Sequence, residues 1–169
     1  MNKLPQRKNL RLKYYNYSQP GYYFITICTK DKKALFGNIV DCGRGEALPN
    51  PKVELTKIGQ ILLEQWQELK NRYNNLVPEQ LIIMPNHIHG IIIITAGEGQ
   101  SPSPTLGNII GTYKSLTTKL ANKEEDLSGR ILWQRSYYDR VIRNEKELIS
   151  IRDYINNNPM KWLDDEYHI

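Results

Sequence analysis

Cysteine is nearly absent from this chain: Cys28 and Cys42 are the only two in 169 residues, and neither their spacing nor their neighbours form a metal-ligand motif. A disulfide-rich secreted scaffold and a thiolate metal centre are thereby set aside. One bridge between the two is compatible with the sequence, and free thiols are the expectation. Long apolar runs are missing as well. No stretch approaches the roughly 20 apolar residues of a membrane-spanning helix, and no secretory hydrophobic segment follows the basic N-terminus, so a cytoplasmic chain is expected. Carboxylates are never clustered as a two-metal hydrolytic centre requires, which makes a metal phosphohydrolase the weaker enzyme reading. What is present, 40% hydrophobic and 24% charged residues, fits a folded chain rather than a disordered one. Its length predicts a single domain over residues 1–169 with a core of its own.

Acidic residues are also lacking from residue 3 to residue 13, where Lys3, Arg7, Lys8, Arg11 and Lys13 precede Tyr14, Tyr15 and Tyr17. A formal net charge of +5 is compatible with a polyanionic partner without being diagnostic of one. The basic arm over residues 1–20, interleaved with tyrosines, suits phosphate contact and base stacking. It suits a solvated tail equally well.

The stretch Pro85-Asn86-His87-Ile88-His89-Gly90, followed by four isoleucines, organises the rest. In a strand alternate side chains share a face, so His87 and His89 project together. Such a pair makes a two-imidazole platform, or else the wet face of a half-buried strand. Two imidazoles are too few to close a metal site, so a metal there needs another ligand from elsewhere.

Around this stretch the pattern predicts a first strand over 22–28, then a weakly periodic excursion over 31–52 with room for a short strand. An amphipathic helix follows, with Ile58, Leu62, Trp66, Leu69 and Tyr73 as its stripe and Thr56 as its N-cap. A strand over 76–84, interrupted at Pro78, pairs antiparallel with the histidine strand through Pro85-Asn86. A loop over 96–105 leads to a second helix with the stripe Leu106, Ile109, Tyr113, Leu116 and Leu120, and with Lys114 and Lys119 lying away from it. A last strand over 136–142 precedes Asn144 and Glu147, whose spacing predicts a capping box in which Glu147 answers the Asn144 N–H. The third helix that they open buries Leu148, Ile151 and Ile155, carries Tyr154 and Asn158 as surface neighbours, and ends at Pro159. This order predicts an α+β ferredoxin-like sandwich with a mainly antiparallel sheet and a C-terminal helix. Helices are expected to cover one sheet face and leave the other open, with the histidines on it and the terminal helix crossing nearby.

Taken with Trp133-Gln134-Arg135-Ser136-Tyr137-Tyr138 and Tyr154-Ile155-Asn156-Asn157-Asn158-Pro159, the histidine stretch resembles the IS200-like transposase superfamily, in particular its REP-associated tyrosine transposases. Arg11 to Tyr17 and Tyr23 to Thr29 are similar too, so the resemblance runs through nearly the whole chain. It implies a metal-dependent enzyme that cleaves and rejoins single-stranded DNA near hairpin or palindromic repeats through a 5′-phosphotyrosine. It further implies His87 and His89 as ligands of Mg2+ or Mn2+, Tyr154 as nucleophile and Asn158 as the residue completing the metal site. Imidazoles by themselves do not select the metal, and zinc also suits them. Asn158 serves equally as direct ligand, as a water-mediated contact or as a helix-end cap. Tyr137 and Tyr138 are read as structural or base-contacting, and Trp133 as core packing or a base stack. Arg7, Lys8, Arg11, Lys13, Tyr14, Lys114, Lys119, Arg135 and Arg140 are candidate DNA contacts. The expected partner is single-stranded DNA with a hairpin, with nucleoid association when bound, and both a monomer and a homodimer are compatible. The rival is a catalytically inactive nucleic-acid-binding module of the same fold.

Overall fold

The computed structural model describes residues 14–40, 51–97, 104–125, 129–165 and 167. Arg7, Lys8, Arg11, Lys13 and Cys42 lie outside them. The strands β1 (Gly21–Cys28), β4 (Leu76–Ile83), β5 (His87–Ile94) and β6 (Tyr138–Ile142) form one sheet in the order β4-β5-β1-β6, antiparallel throughout. The excursion supplies two strands, β2 (Gly37–Val40) and β3 (Lys52–Leu55), which among the described residues pair only with each other. The helices are α1 (Lys57–Gln67), α2 (Leu69–Arg72), α3 (Leu106–Glu124) and α4 (Glu145–Asn157). Apart from β2, β3 and α2, the order and sheet arrangement are those of the expected ferredoxin-like α+β sandwich. Among the described residues no helix is long and apolar enough to cross a membrane.

The pleat divides the sheet between two chemistries. Tyr23, Ile25 and Ile27 of β1 and Ile88, Ile92 and Ile94 of β5 point to the face covered by α1 and α3, against Leu62, Trp66, Ile109, Ile110 and Tyr113. Each such aliphatic side chain contributes roughly 1.5–3 kcal/mol by leaving water. Thr56 caps α1 as its sequence predicts, accepting from the Gly59 N–H at 3.2 Å. The apolar stripe is divided, however, because Glu68 ends α1 and Leu69 belongs to the separate turn of α2. On α3 the buried line is Leu106, Ile109, Ile110, Tyr113, Thr117 and Ala121, while Leu116 and Leu120 are only half-buried. Thr117 can be buried there because its hydroxyl donates to the Tyr113 carbonyl and accepts from Trp133 Nε1.

Gly90 has a steric reason on this same face. A Cβ built there would stand 2.5 Å from Trp66 Cη2 and 2.8 Å from its Cζ2, so the missing side chain is what lets α1 lay its indole on β5. Gly90→Ala is expected to cost about 1–3 kcal/mol through overpacking, a fall in Tm of roughly 2–12 °C for a chain of this size, read by thermal melting.

The second face differs from its expected openness. α4 crosses it and, with Phe24, Ile91 and Ile142, buries Leu148 and Ile155 in a second apolar cluster. The histidine end of that face is then closed by the 3-10 turn Pro159–Asp164 and by Tyr167: the Trp162 and Tyr167 rings lie 6.0 and 4.7 Å from the His87 ring. The physical reason is that Phe24, Ile91 and Ile142 make the middle of this face apolar, so an amphipathic helix is drawn onto it.

Candidate metal and nucleophile site

His87 and His89 occupy alternate positions on β5, as the two-residue period requires, but neither is wet: they are 0% and 1% exposed. His89 lies opposite Thr26 of β1 and Ile82 of β4, and Tyr138 of β6 lies opposite Thr26. His87 is fixed in one tautomer by its neighbour. Asn86 Nδ2 donates to the carbonyls of Lys32 and Tyr167, at 3.2 and 2.7 Å, which leaves Asn86 Oδ1 to accept from His87 Nδ1–H at 2.9 Å. His87 Nε2 therefore carries a lone pair. It faces His89 Nε2 at 3.0 Å, while His89 Nδ1 stands 2.8 Å from Thr26 Oγ1.

A carboxylate completes the cluster. Asp165 Oδ2 lies 3.9 Å from His87 Nε2, and its side chain is only 3% exposed. Asn158 Nδ2 donates to that same oxygen at 3.1 Å, and the Tyr167 N–H donates to Oδ1 at 2.7 Å. One ligand atom from each of His87, His89 and Asp165 lies within 4.8 Å of the others. Asn158 Oδ1, also buried, has no hydrogen bond among the described residues.

These residues suit a divalent cation. Two nitrogen ligands at right angles about an ion with bonds of about 2.1 Å stand about 3.0 Å apart, which matches the observed imidazole pair. Burial, only partly opposed by Asp165 and Asn158, holds His87 down at about 4. Burial and the adjacent His87 also hold His89 well below the ordinary histidine value. Both imidazoles are neutral at pH 7, the state in which they ligate. Asn86→Ala, which frees the His87 tautomer, is expected to weaken Mn2+ binding about 10–100-fold by titration calorimetry.

Tyr154 reaches the cluster from α4. Its hydroxyl is 3.2 Å from His89 Nε2, its ring is 5.1 Å from the imidazole and edge-on to Phe24 at 6.1 Å, and the residue is 40% exposed. The helix that presents it is held at both ends. Asn144 accepts from the Glu147 N–H at 2.9 Å, but Glu147 reaches back to the Arg143 N–H rather than that of Asn144, because its other oxygen is drawn to Arg140 Nε at 2.6 Å. Further along, Arg152 places Nε and Nη2 2.7 and 2.6 Å from Glu79 Oε1, and Gln80 donates to Asn156 Oδ1 at 2.6 Å. A β-bulge between Pro78 and Gln80 makes consecutive residues of β4 available to the helix.

The remaining candidates are dispersed. Trp133 is core, packed 5.0 Å from Phe36 and bonded to Thr117. Lys114 donates to the carbonyls of Gln134 and Arg135 and so holds that segment to α3. Burial lowers its ammonium pKa. Lys119, Arg135, Arg140 and Tyr14 are exposed, Arg140 being ion-paired to Glu147. Tyr137 is half-buried against the α1/α3 core, and Tyr138 is 37% exposed on the α4 side. Asp165, Thr26 and Tyr167 carry no pattern that singles them out in the sequence. Asn86 stands in the histidine stretch itself but reads there only as a turn residue.

Residues 50–158 match the family model described as Transposase IS200 like. An uncharacterised protein of Haemophilus influenzae is 34% identical over 179 residues, covering 96% of this chain and 93% of that protein. Among solved structures, a REP-associated tyrosine transposase bound to a REP hairpin is similar with a TM-score of 0.54 and 20% identity, over 92% of this chain and 74% of the other.

Proposed function

Since the chain belongs to the IS200-like transposase family, we propose that it is a metal-dependent tyrosine transposase that cleaves and rejoins single-stranded DNA beside a hairpin or palindromic repeat. The observation that carries this reading is the Tyr154 hydroxyl 3.2 Å from the imidazole that faces His87. A nucleophile within reach of a pair of buried neutral ligands is what phosphoryl transfer through a covalent intermediate needs. His87, His89 and Asp165 would hold Mg2+ or Mn2+, with Asn158 Oδ1 as a further ligand or the acceptor of a bound water. When bound, the ion would supply charge neutralisation and orientation at the scissile phosphate.

Tyr154 oxygen forms the new bond to phosphorus while the bond to the DNA 3′-oxygen breaks. The phenolic proton is lost, and the departing oxygen gains one as a free 3′-hydroxyl. Attack of a 3′-hydroxyl on the resulting 5′-phosphotyrosine joins strands and restores the tyrosine, so no net hydrolysis occurs. Among the described residues one chain supplies both histidines, the carboxylate and the tyrosine, which supports catalysis within a monomer. The likeness to a protein holding a REP hairpin supports a hairpin as part of the substrate.

The test is incubation with a labelled library of hairpins bearing single-stranded flanks, in Mg2+ or Mn2+ and with a chelator control, resolved on a denaturing gel. A metal-dependent protein–DNA band is expected. Retardation on a native gel with no covalent band across the library would instead identify an inactive binding module, and turnover without an adduct a hydrolase.

A further inference from the structure

We infer that the cleft between β6 and the first turns of α4 is the track along which the single-stranded flank reaches Tyr154. This rests on the reading above and extends it to a binding surface. The cleft has a volume of about 780 Å3 and is lined by Tyr138, Arg140, Arg143, Lys146, Ser150 and Ile151.

It leads into the site through side chains in contact. Tyr138 is edge-on to Phe24 at 6.3 Å, and Phe24 is edge-on to Tyr154 at 6.1 Å. Tyr138 also lies opposite Thr26, the hydroxyl partner of His89. On α4, Lys146, Ser150 and Tyr154 follow one another at four-residue intervals, so they share one helix face with a rise of about 6 Å between successive members. A strand laid on this face passes a cation, a hydroxyl and then the nucleophile. Partly exposed Tyr138 offers an aromatic face to an unpaired base.

The charge balance favours a polyanion. Of the two acidic residues that line the cleft, Asp139 is buried, and Glu147 is engaged by the Arg143 N–H and Arg140 Nε, which hold its carboxyl below the usual range. Neither the Arg143 guanidinium nor the Lys146 ammonium forms an ion pair among the described residues. β6 is moreover the outer strand of the sheet, so its far edge presents backbone N–H groups with no strand beside them among the described residues. Backbone donors of this kind contact phosphate and sugar oxygens. An outer strand also invites pairing with a second copy, which sedimentation detects.

The test compares wild type, Arg143→Ala/Lys146→Ala and Tyr138→Leu by fluorescence anisotropy on one hairpin with and without a thymidine flank, alongside thermal melts and sedimentation. The double variant is expected to bind the flanked hairpin roughly tenfold more weakly, with its log–log salt slope reduced by about 1.4 for two lost phosphate contacts, and to bind the bare hairpin unchanged. Tyr138→Leu is expected to lose the fluorescence change of a 2-aminopurine placed in the flank. Equal losses on both DNAs, no loss on either, or a wild-type dimer that the substitutions dissociate would overturn the assignment. If wild type forms no adduct but flank binding still depends on these residues, the catalytic reading fails and the track stands. If adducts form with unaltered flank affinity in the variants, the track alone fails.

Discussion

Tyr154→Phe is expected to abolish the covalent protein–DNA species while leaving the fold, the cation site and DNA affinity as they were. The hydroxyl is the only group removed. Its ring contacts with Phe24 and His89 are contacts of the aromatic face and edge, and they survive in phenylalanine. Tyr154 is 40% exposed, and the buried His89 Nε2 that its hydroxyl contacts keeps His87 Nε2 as a neighbour, so the stability change should stay within about 1 kcal/mol. Loss of the attacking oxygen, by contrast, should lower strand cleavage on the order of 10^4-fold or more, the scale seen when a covalent nucleophile is deleted. Denaturing gels give the first quantity, and thermal melts with anisotropy on flanked hairpins give the others. Cleavage at wild-type rate in Tyr154→Phe would move the nucleophile to another tyrosine.

The second large effect falls on the histidines. His87→Ala and His89→Ala each remove a nitrogen from a cluster that offers few ligand atoms, and Mn2+ affinity is expected to fall more than 100-fold, beyond the 10–100-fold cost of disturbing a supporting hydrogen bond. The two should differ in one respect. His89 also lies against Tyr154, so its loss frees the tyrosine side chain, whereas His87 is tied to Asn86 and the C-terminal turn. The pH dependence has a defined sign. Protonation competes with ligation, and the buried His87 resists it until about 4 rather than 6.5, so Mn2+ binding should persist as pH falls through 6 and disappear towards 4. In the metal-free protein the unfolded chain takes up the protons that the native histidines refuse. Stability should therefore decline as pH drops from about 6.5 to about 4. Calorimetric titrations and melts across this range test both statements, and histidines that protonate near 6.5 in the native state would contradict them.

The parts of this site that were legible in the sequence are those governed by a local period. The strand period of two puts His87 and His89 on one face, and the helical spacing of four makes Tyr154 and Asn158 neighbours. Asp165 is not legible, because it caps the 3-10 turn that begins at Pro159, where neither period operates, and only tertiary folding brings it beside β5. The α3 stripe differs from its expected line for a related reason. Hydrophobicity selects Leu116 and Leu120, whereas Thr117 is buried through its hydrogen bonds to Tyr113 and Trp133. The wet histidine face failed for want of the C-terminal turn, whose Trp162 and Tyr167 cover the pair from a segment with no recognisable amphipathic pattern. Lys114 reads as a surface cation in sequence and is instead a clamp on backbone carbonyls.

The central claim is that Tyr154 becomes covalently joined to DNA beside a histidine-held cation. It is tested most directly by trapping the reaction in Mn2+ with a flanked hairpin, digesting the DNA and the protein, and locating the nucleotide-bearing peptide by mass spectrometry. The expected result is a 5′-phosphonucleotide on Tyr154, absent when the metal is chelated. Attachment at Tyr137 or Tyr138, or a substrate series that binds tightly and yields no modified peptide with either metal, would contradict it.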